Sequence, residues 1–105
     1  MNRVAFVMSV NPGFEAEYQQ RHSPIWPELD QVLKDHGVRT YTIFLNPDNR
    51  QLFAYAEVED LDRWKAIADT AVCRRWWSYM RDIMPANPDA SPVATHLKEV
   101  FHIEK

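Results

Sequence analysis

Two short segments of the chain combine aromatic rings with a group that can exchange protons. The first places Tyr18, His22 and Trp26 at positions i, i+4 and i+8, which predicts that the three rings share one face of a helix. The second places Trp76 and Trp77 side by side after two arginines. Indole faces can stack on the C–H faces of a sugar, and phenol, imidazole and indole N–H groups can bind its hydroxyls. Together the two segments suit a small sugar ligand.

His22 is the best acid–base candidate, because an imidazole with an ordinary pKa near ~6.5 can give or take a proton at neutral pH. It stands just before Ser23-Pro24, where the helical pattern is interrupted. Side chains at helix breaks often reach a pocket. A capping or surface histidine would have the same sequence context, so position alone leaves both interpretations open.

The remaining candidate groups favour structural roles. His96 and His102 would share a strand face, but no carboxylate or thiol has a convincing metal-ligand spacing with them, so we expect no metal. Cys73 is the only cysteine and is typical of a buried, inert thiol. Tyr41 lies in the middle of a predicted strand and, taken alone, indicates a core tyrosine whose hydroxyl reaches the surface. His36 is expected at the C-terminal end of a helix.

The tryptophan pair has two possible arrangements. Adjacent helical residues point about 100° apart, so Trp76 and Trp77 cannot face one cavity equally. One indole could be a core residue while the other packs at an interface. We expect at least one of them to line a pocket, with its N–H available to a hydroxyl.

Composition narrows the class of protein. With 105 residues and 46% hydrophobic content, the chain is expected to form a single domain, residues 1–105, with a real core. The net charge is -3 and no basic patch is present, which argues against nucleic acid as a partner. The apolar run at residues 4–8 is too short for a signal peptide or a membrane span, so we expect a cytoplasmic protein without a membrane partner. No phosphate-binding or dinucleotide-binding glycine motif is present.

Hydrophobic periodicity predicts the elements that position these residues. Alternation indicates strands, longer polar–apolar periods indicate helices, and proline clusters indicate irregular segments. We expect Ser23 and Pro24 to be the N-cap and first residue of a second helix, and Asp60 or Asp62 to cap a third. The predicted elements are a strand at 3–10, a broken helix at 14–22 and 24–35, a hairpin at 38–46 and 52–58, a helix containing Trp64, a helix at 71–84, an irregular stretch at 85–95 and a last strand at 97–103.

The order βαββαβ is that of an α+β, ferredoxin-like fold, with an antiparallel sheet covered by helices on one face. The strand at 52–58 is nevertheless apolar on both faces, with Leu52, Ala54 and Val58 opposite Phe53 and Tyr55. A monomer would leave one of these faces in water. We therefore expect a homodimer in which a second sheet covers it.

The two segments resemble the L-rhamnose mutarotase family. The strings His-x-Pro-Ile-Trp-Pro-Glu and Trp-Trp-x-Tyr-Met are long and unusual, so chance is a poor explanation for them. Ala90 departs from the asparagine that the family often has before Ser91-Pro92. The resemblance runs over nearly the whole chain, and its matching positions are 21–29, 41, 73–80, 84–89 and 99–101.

This resemblance implies a dimeric ferredoxin-like α/β barrel that interconverts the α and β anomers of L-rhamnose without a cofactor. It implies that His22 is the proton donor and that Tyr18, Tyr41, Trp76 and Trp77 contact the sugar. Anomer exchange opens the pyranose ring, rotates about C1–C2 and closes the ring again. Opening requires a proton delivered to the ring oxygen, which His22 could supply, and a proton removed from the anomeric hydroxyl by water or a second polar side chain.

Two other classes of function remain. Dimeric ferredoxin-like proteins include small oxygenases that act on large aromatic substrates, and these would have a flat hydrophobic pocket without polar groups placed for a sugar. A ligand-binding module would have the same pocket without turnover.

Overall fold

The chain folds into a four-stranded antiparallel sheet with helices on one face, as seen in a computed structural model that describes residues 1–105. The strand order is β2-β3-β1-β4, and the predicted α+β class is confirmed. The elements are β1 (Asn2–Ser9), α1 (Glu15–Arg21), α2 (Pro27–Asp35), β2 (Val38–Asn46), β3 (Gln51–Val58), α3 (Leu61–Ala66), α4 (Ala71–Met80) and β4 (Thr95–His96), with a 3-10 turn at Ile67–Asp69.

The central strand β3 shows why helices cover only one face. Its residues Leu52, Ala54, Ala56 and Val58 are fully or almost fully buried under the helices. Phe53 points to the opposite face and is 38% exposed. Because strand side chains alternate between faces, this pattern fixes the register of the sheet and leaves its second face open.

Two alanines of β3, Ala54 and Ala56, lie on the face of the sheet that the helices cover. Ala54 pairs with Phe6 of β1, and Ala56 pairs with Tyr41 of β2. Since neither alanine has a side chain beyond Cβ, the larger rings on the flanking strands can approach each other across β3. The centroids of Phe6 and Tyr41 lie 6.4 Å apart in an edge-to-face arrangement.

The predicted break between α1 and α2 is present, but the predicted start of α2 is wrong. Trp26, not Ser23, is the N-cap residue, and Pro27, not Pro24, is the first helical residue. Trp26 has φ −55° and ψ 131°, the extended conformation that a following proline imposes. Both prolines satisfy the same local rule, so the sequence pattern alone could not choose between them.

The predicted last strand is also wrong. Only two residues form β4, opposite Phe6 and Val7 of β1, and the Leu97 N–H donates to the carbonyl of Ala5. In this register, residues beyond 100 would extend past the start of β1, so they have no partner strand. Phe101 and Ile103 are each 77% exposed as a result.

The helices α3 and α4 begin as the sequence predicts, although α4 is shorter. Asp60 caps α3 by accepting a hydrogen bond from the N–H of Arg63 at 3.0 Å, and Thr70 caps α4 by accepting one from Cys73 at 3.2 Å. Helix α4 ends at Met80, and turns replace the predicted helical residues up to 84. No helix in the fold combines the length and apolar character that a membrane crossing requires.

Candidate functional site

The sheet and the helices enclose an open cavity of about 1070 Å³. Helices α1 and α4 contribute to its walls, and side chains of β1, β2 and β3 on the helical face of the sheet line its floor. Mostly hydrophobic side chains line it, with a few polar groups among them, which is typical of small-molecule sites. All five residues predicted for the site line this one cavity: Tyr18, His22, Tyr41, Trp76 and Trp77.

The position of His22 depends on where α1 ends. Pro24 has no N–H to continue the helix, and α1 stops at Arg21. The backbone N–H of His22 therefore donates to Gln19 at 3.1 Å rather than to the carbonyl of Tyr18. The Tyr18 carbonyl instead accepts from the His22 ring, with Nδ1 2.7 Å from the carbonyl oxygen.

This hydrogen bond decides which ring nitrogen of His22 carries the proton. A carbonyl oxygen can only accept, so Nδ1 must be the N–H. In the neutral imidazole, Nε2 then has a free lone pair. Nε2 has no hydrogen-bond partner in the protein, so it is available to a ligand in the cavity.

Aromatic rings surround the imidazole. The His22 ring lies 4.4 Å from that of Tyr18 and 5.2 Å from that of Trp76, centroid to centroid, the second contact being edge-to-face. Burial lowers the pKa of His22 from its ordinary value, and the hydrogen bond to the Tyr18 carbonyl offsets part of that effect. His22 is therefore mainly neutral at pH 7, and its Nε2 is a proton acceptor.

Two phenols supply hydroxyl groups to the cavity. Tyr18 is only 8% exposed, and neither its hydroxyl nor that of Tyr41 has a protein hydrogen-bond partner. Desolvation in the cavity raises the pKa of both phenols, although Tyr41 as a whole residue is 36% exposed, and the nearby Tyr18 adds to the rise for Tyr41. Both hydroxyls stay protonated at neutral pH and can donate a hydrogen bond to a ligand. Tyr41 thus lines the cavity, whereas its position alone had indicated a core residue whose hydroxyl reaches the surface.

Both indoles of the tryptophan pair line the cavity, although they point in different directions. Trp76 is buried, and besides His22 it contacts two further aromatic residues. Its ring centroid lies 5.1 Å from that of Trp26 and 5.7 Å from that of Tyr79. Trp77 packs against both clusters of the hydrophobic core.

The spacing of Trp26 predicts that it shares a helix face with Tyr18 and His22, and this prediction is wrong. The interruption after α1 places it ahead of α2, where it lies behind Trp76 and does not line the cavity. It still belongs to the aromatic wall, through Trp76.

The far end of the cavity adds Phe6 and Trp64, which were not expected in the site, next to Tyr41 and His96. Phe6 lies 6.4 Å from Trp64 and 6.1 Å from His96, and Tyr41 lies 5.7 Å from Trp64. The alternation of β1 marks Phe6 as inward-facing, but nothing local indicates that the ring would border a cavity. The one sequence signal for a ring at this place is the pair of small residues Ala54 and Ala56 in the neighbouring strand β3.

The other candidate groups are accounted for structurally. Cys73 is buried, and burial raises its pKa to about 11, so it remains a thiol. His36 caps the end of α2, with Nδ1 2.8 Å from the carbonyl of Val32. His102 pairs with Glu104 at 3.1 Å. No three histidine, cysteine or carboxylate side chains come together in a group that could hold a metal ion.

The loop after α4 is closed without a polar side chain at position 90. Ala90 has φ 73°, and its N–H donates to the Asn87 carbonyl at 2.8 Å. The Asn87 N–H donates to the carbonyl of Ser91 at 2.7 Å, and the Ser91 N–H to the Asp89 carboxylate at 3.0 Å. The departure at Ala90 therefore leaves the loop's own hydrogen bonds in place.

Comparisons with known proteins agree with this site. The family model described as L-rhamnose mutarotase matches residues 3–103. The L-rhamnose mutarotase of Opitutus terrae is 64% identical over 104 residues, covering 99% of this chain and 100% of that protein. The L-rhamnose mutarotase of Tolumonas auensis is 57% identical over 103 residues, covering 98% of this chain and 99% of that protein.

Solved structures separate the family from the wider fold. A crystal structure of L-rhamnose mutarotase from Formosa agariphila has a TM-score of 0.89 and 44% identity, covering 99% of this chain and 100% of that one. A structure described as an antibiotic biosynthesis monooxygenase has a TM-score of 0.64 with 12% identity, covering 95% of this chain and 99% of that one, a likeness of fold alone. With a family model that spans nearly all its residues and relatives more than half identical to it from end to end, the chain belongs to the L-rhamnose mutarotase family.

Proposed function

We propose that this chain interconverts the α and β anomers of L-rhamnose as a cofactor-free isomerase of rhamnose metabolism, acting in the cytoplasm as a single domain of residues 1–105. One observation carries the chemistry: His22 is held by the Tyr18 carbonyl through Nδ1, so that Nε2 is left free in a cavity lined by phenols and indoles. An acid–base group beside hydroxyl donors is what ring opening requires.

The hydrogen bonding of His22 supports a role as proton acceptor in ring opening. A neutral imidazole with Nε2 free accepts the proton of the anomeric hydroxyl as the C1–O5 bond breaks. This differs from the role expected from the family resemblance, in which His22 first delivers a proton to the ring oxygen. When the ring closes on the other face, the same Nε2–H returns its proton to the oxygen on C1, so His22 is a proton donor in that half of the reaction.

The ring oxygen needs its own proton source during opening. Tyr18 and Tyr41 line the cavity with protonated, unpartnered hydroxyls, and a phenol at either position can donate to the developing alkoxide or pass on a proton from water. Their raised pKa values keep them in the donating form. Well-placed proton transfers contribute roughly 10²–10⁴-fold each, so this pair of roles accounts for a substantial rate gain.

The indoles favour a 6-deoxy sugar. L-rhamnose has a methyl group on C5, whose burial against Trp76 or Trp77 contributes roughly 0.8 kcal/mol. A hexose with a hydroxyl on C6 would lose water there without gaining a partner. We therefore propose that Trp76, Trp77, Tyr18 and Tyr41 contact the substrate.

The rival functions fit the cavity less well. An oxygenase of large aromatic substrates was expected to have a flat apolar pocket, whereas this cavity combines indoles with two free hydroxyls and an imidazole. The likeness to monooxygenases is confined to the fold at 12% identity. Measured exchange of L-rhamnose anomers distinguishes an enzyme from a ligand-binding module without turnover.

We also propose that the chain forms a homodimer, a dimeric α/β barrel in which two open sheet faces pack together. Phe44 and Phe53 are paired neighbours on that face and are 64% and 38% exposed. Tyr55 and Val7 continue the apolar surface. The exposed tail that carries Phe101 runs along the edge of the same sheet and would be covered by the second copy.

Saturation-transfer NMR on the anomeric protons of L-rhamnose tests the function. The wild-type protein should accelerate exchange, and His22→Ala should lose most of that acceleration while remaining folded. His36→Ala is the matched control, since that histidine only caps α2. Exchange at the uncatalysed rate with wild-type protein would refute the proposal, and wild-type exchange by His22→Ala would remove His22 from the mechanism.

A further inference from the structure

Arg21 joins the end of α1 to the end of α4 from a nearly buried position. Its side chain is 11% exposed. Nη1 donates to the backbone carbonyl of Tyr79 at 2.6 Å and to Asp82 Oδ1 at 2.9 Å, and Nη2 donates to Asp82 Oδ2 at 3.2 Å. Nε donates to Glu17 at 2.9 Å, so all three guanidinium nitrogens are engaged.

These contacts fix geometry more than they add stability. The Asp82 and Glu17 side chains are 65% and 44% exposed, and ion pairs with such exposed groups contribute little to stability. The Tyr79 carbonyl is one of the last in α4 and lacks an intrahelical partner, so the guanidinium satisfies it. A planar guanidinium held at several points cannot rotate without breaking hydrogen bonds on both helices.

The guanidinium also touches the aromatic wall behind the cavity. Arg21 Cζ lies 4.4 Å above the centroid of the Tyr79 ring. That ring lies 5.3 Å from Trp26 and 5.7 Å from Trp76. Trp76 in turn meets the His22 imidazole edge-to-face at 5.2 Å. Arg21, Tyr79 and Trp26 do not line the cavity themselves.

We propose that Arg21 is a positioning residue for anomer exchange: it fixes the spacing between His22 and Trp76 from behind the site. One side of this spacing follows from the chain itself, since Arg21 directly precedes His22. The other side follows through the Tyr79 ring, which stands between the guanidinium and Trp76. The inference rests on the proposed function, because it concerns the residue that carries the proton.

Arg21→Ala and Arg21→Lys test this role in the full-length protein. For Arg21→Ala, kcat per folded molecule should fall by about 10- to 100-fold, because a misplacement of about 1 Å can cost that much. KM should change less, since Tyr18, Tyr41 and Trp77 still line the cavity. Arg21→Lys keeps the charge but not the fork, so it should restore part of kcat. It also provides a folded variant should Arg21→Ala fail to fold.

Val58→Ala is the control for lost stability. Val58 is fully buried but does not line the cavity, so its truncation should lower the melting temperature while leaving kcat unchanged. If the Arg21 variants lose stability like Val58→Ala yet exchange anomers with the wild-type kcat, Arg21 is only structural and the inference is overturned.

An NMR readout separates this inference from the proposed function. The indole N–H resonance of Trp76 and the imidazole resonances of His22 should shift in Arg21→Lys, and those of the distant Trp64 should not. These shifts are observable even if the wild-type protein exchanges no anomers, in which case the proposed function fails on its own. Unchanged Trp76 and His22 resonances would overturn the positioning role.

Discussion

A single carbonyl group gives His22 its two distinguishable ring nitrogens. The Tyr18 carbonyl holds the proton on Nδ1, and burial among aromatic rings disfavours a second proton on Nε2. The reactive form is then the neutral ring. Because only the neutral ring can accept a proton, activity should depend on pH.

Anomer exchange should fall as the solution is acidified, because protonation of Nε2 removes the lone pair that accepts the anomeric proton. Burial lowers the pKa of His22, so the midpoint of this acid limb should lie below pH 6.5. NMR exchange rates measured from pH 4.5 to 8, with folding followed by circular dichroism, give the midpoint. Exchange that instead declines on raising the pH through this range would show that the imidazolium is the active form.

Tyr18→Phe should lower catalysis partially, because it deletes one hydroxyl and keeps the ring that packs on His22. The lost hydrogen bond corresponds to about 1–3 kcal/mol in kcat/KM. Tyr55→Phe is the matched control: its hydroxyl donates to Glu57 at 2.9 Å on the opposite face of the sheet. Unchanged kcat and KM in Tyr18→Phe would show that this hydroxyl does not contact the sugar.

At the scale of elements, sequence patterns predicted what local alternation determines. Strands β1, β2 and β3 and the cap at Asp60 depend on neighbouring residues, and they are confirmed. The last strand depends on how much of β1 remains to pair with it, which is a property of two distant segments. The start of α2 could not be predicted, because Pro24 and Pro27 are equally suitable first residues of a helix.

In the site, too, residues in local motifs were predicted and contacts between distant segments were not. Four of the five predicted residues, Tyr18, His22, Trp76 and Trp77, belong to distinctive local motifs, whereas Tyr41 was expected in the site only from the family resemblance. One cavity brings all five together. The contact between Arg21 and Tyr79 joins residues 58 positions apart, and no local pattern indicates it. The cavity itself is built from residues of distant segments, and no local pattern indicates that they enclose a space.

The cap of α4 offers a test of how strongly local structure supports the indole pair. Thr70→Ala removes the side-chain oxygen that accepts from the Cys73 N–H and should destabilise the protein by about 0.5–2 kcal/mol. Thr70→Ser should keep most of the stability because it retains the oxygen. Urea unfolding monitored by tryptophan fluorescence measures both, and equal midpoints for Thr70→Ala and wild type would show that the cap contributes nothing.

At the scale of the whole molecule, the open face of the sheet is an apolar surface that no element of the chain covers. It carries aromatic side chains on β2 and β3, and the tail beyond β4 adds more apolar residues at its edge. Surfaces of this kind on soluble proteins mark contacts with other chains.

A dimer should be seen by sedimentation at micromolar concentration, with about twice the monomer mass of 12.4 kDa. Phe44→Glu should shift the protein toward monomer, because a carboxylate would be buried in the interface without a partner. Leu61→Glu is the control, since Leu61 is exposed at the start of α3, outside the open face. A monomer mass for the wild-type protein would refute the dimer.

The end of α1 carries a consequence for how this protein can change. Which nitrogen of His22 bears hydrogen is settled by the backbone, since a helix continued by one residue would give the Tyr18 carbonyl to the His22 N–H. Pro24 prevents that continuation without touching any sugar. The position of the proton on the His22 ring thus depends on a proline two positions further along the chain. A lineage that replaced Pro24 could lose catalysis while every residue in the cavity stayed the same.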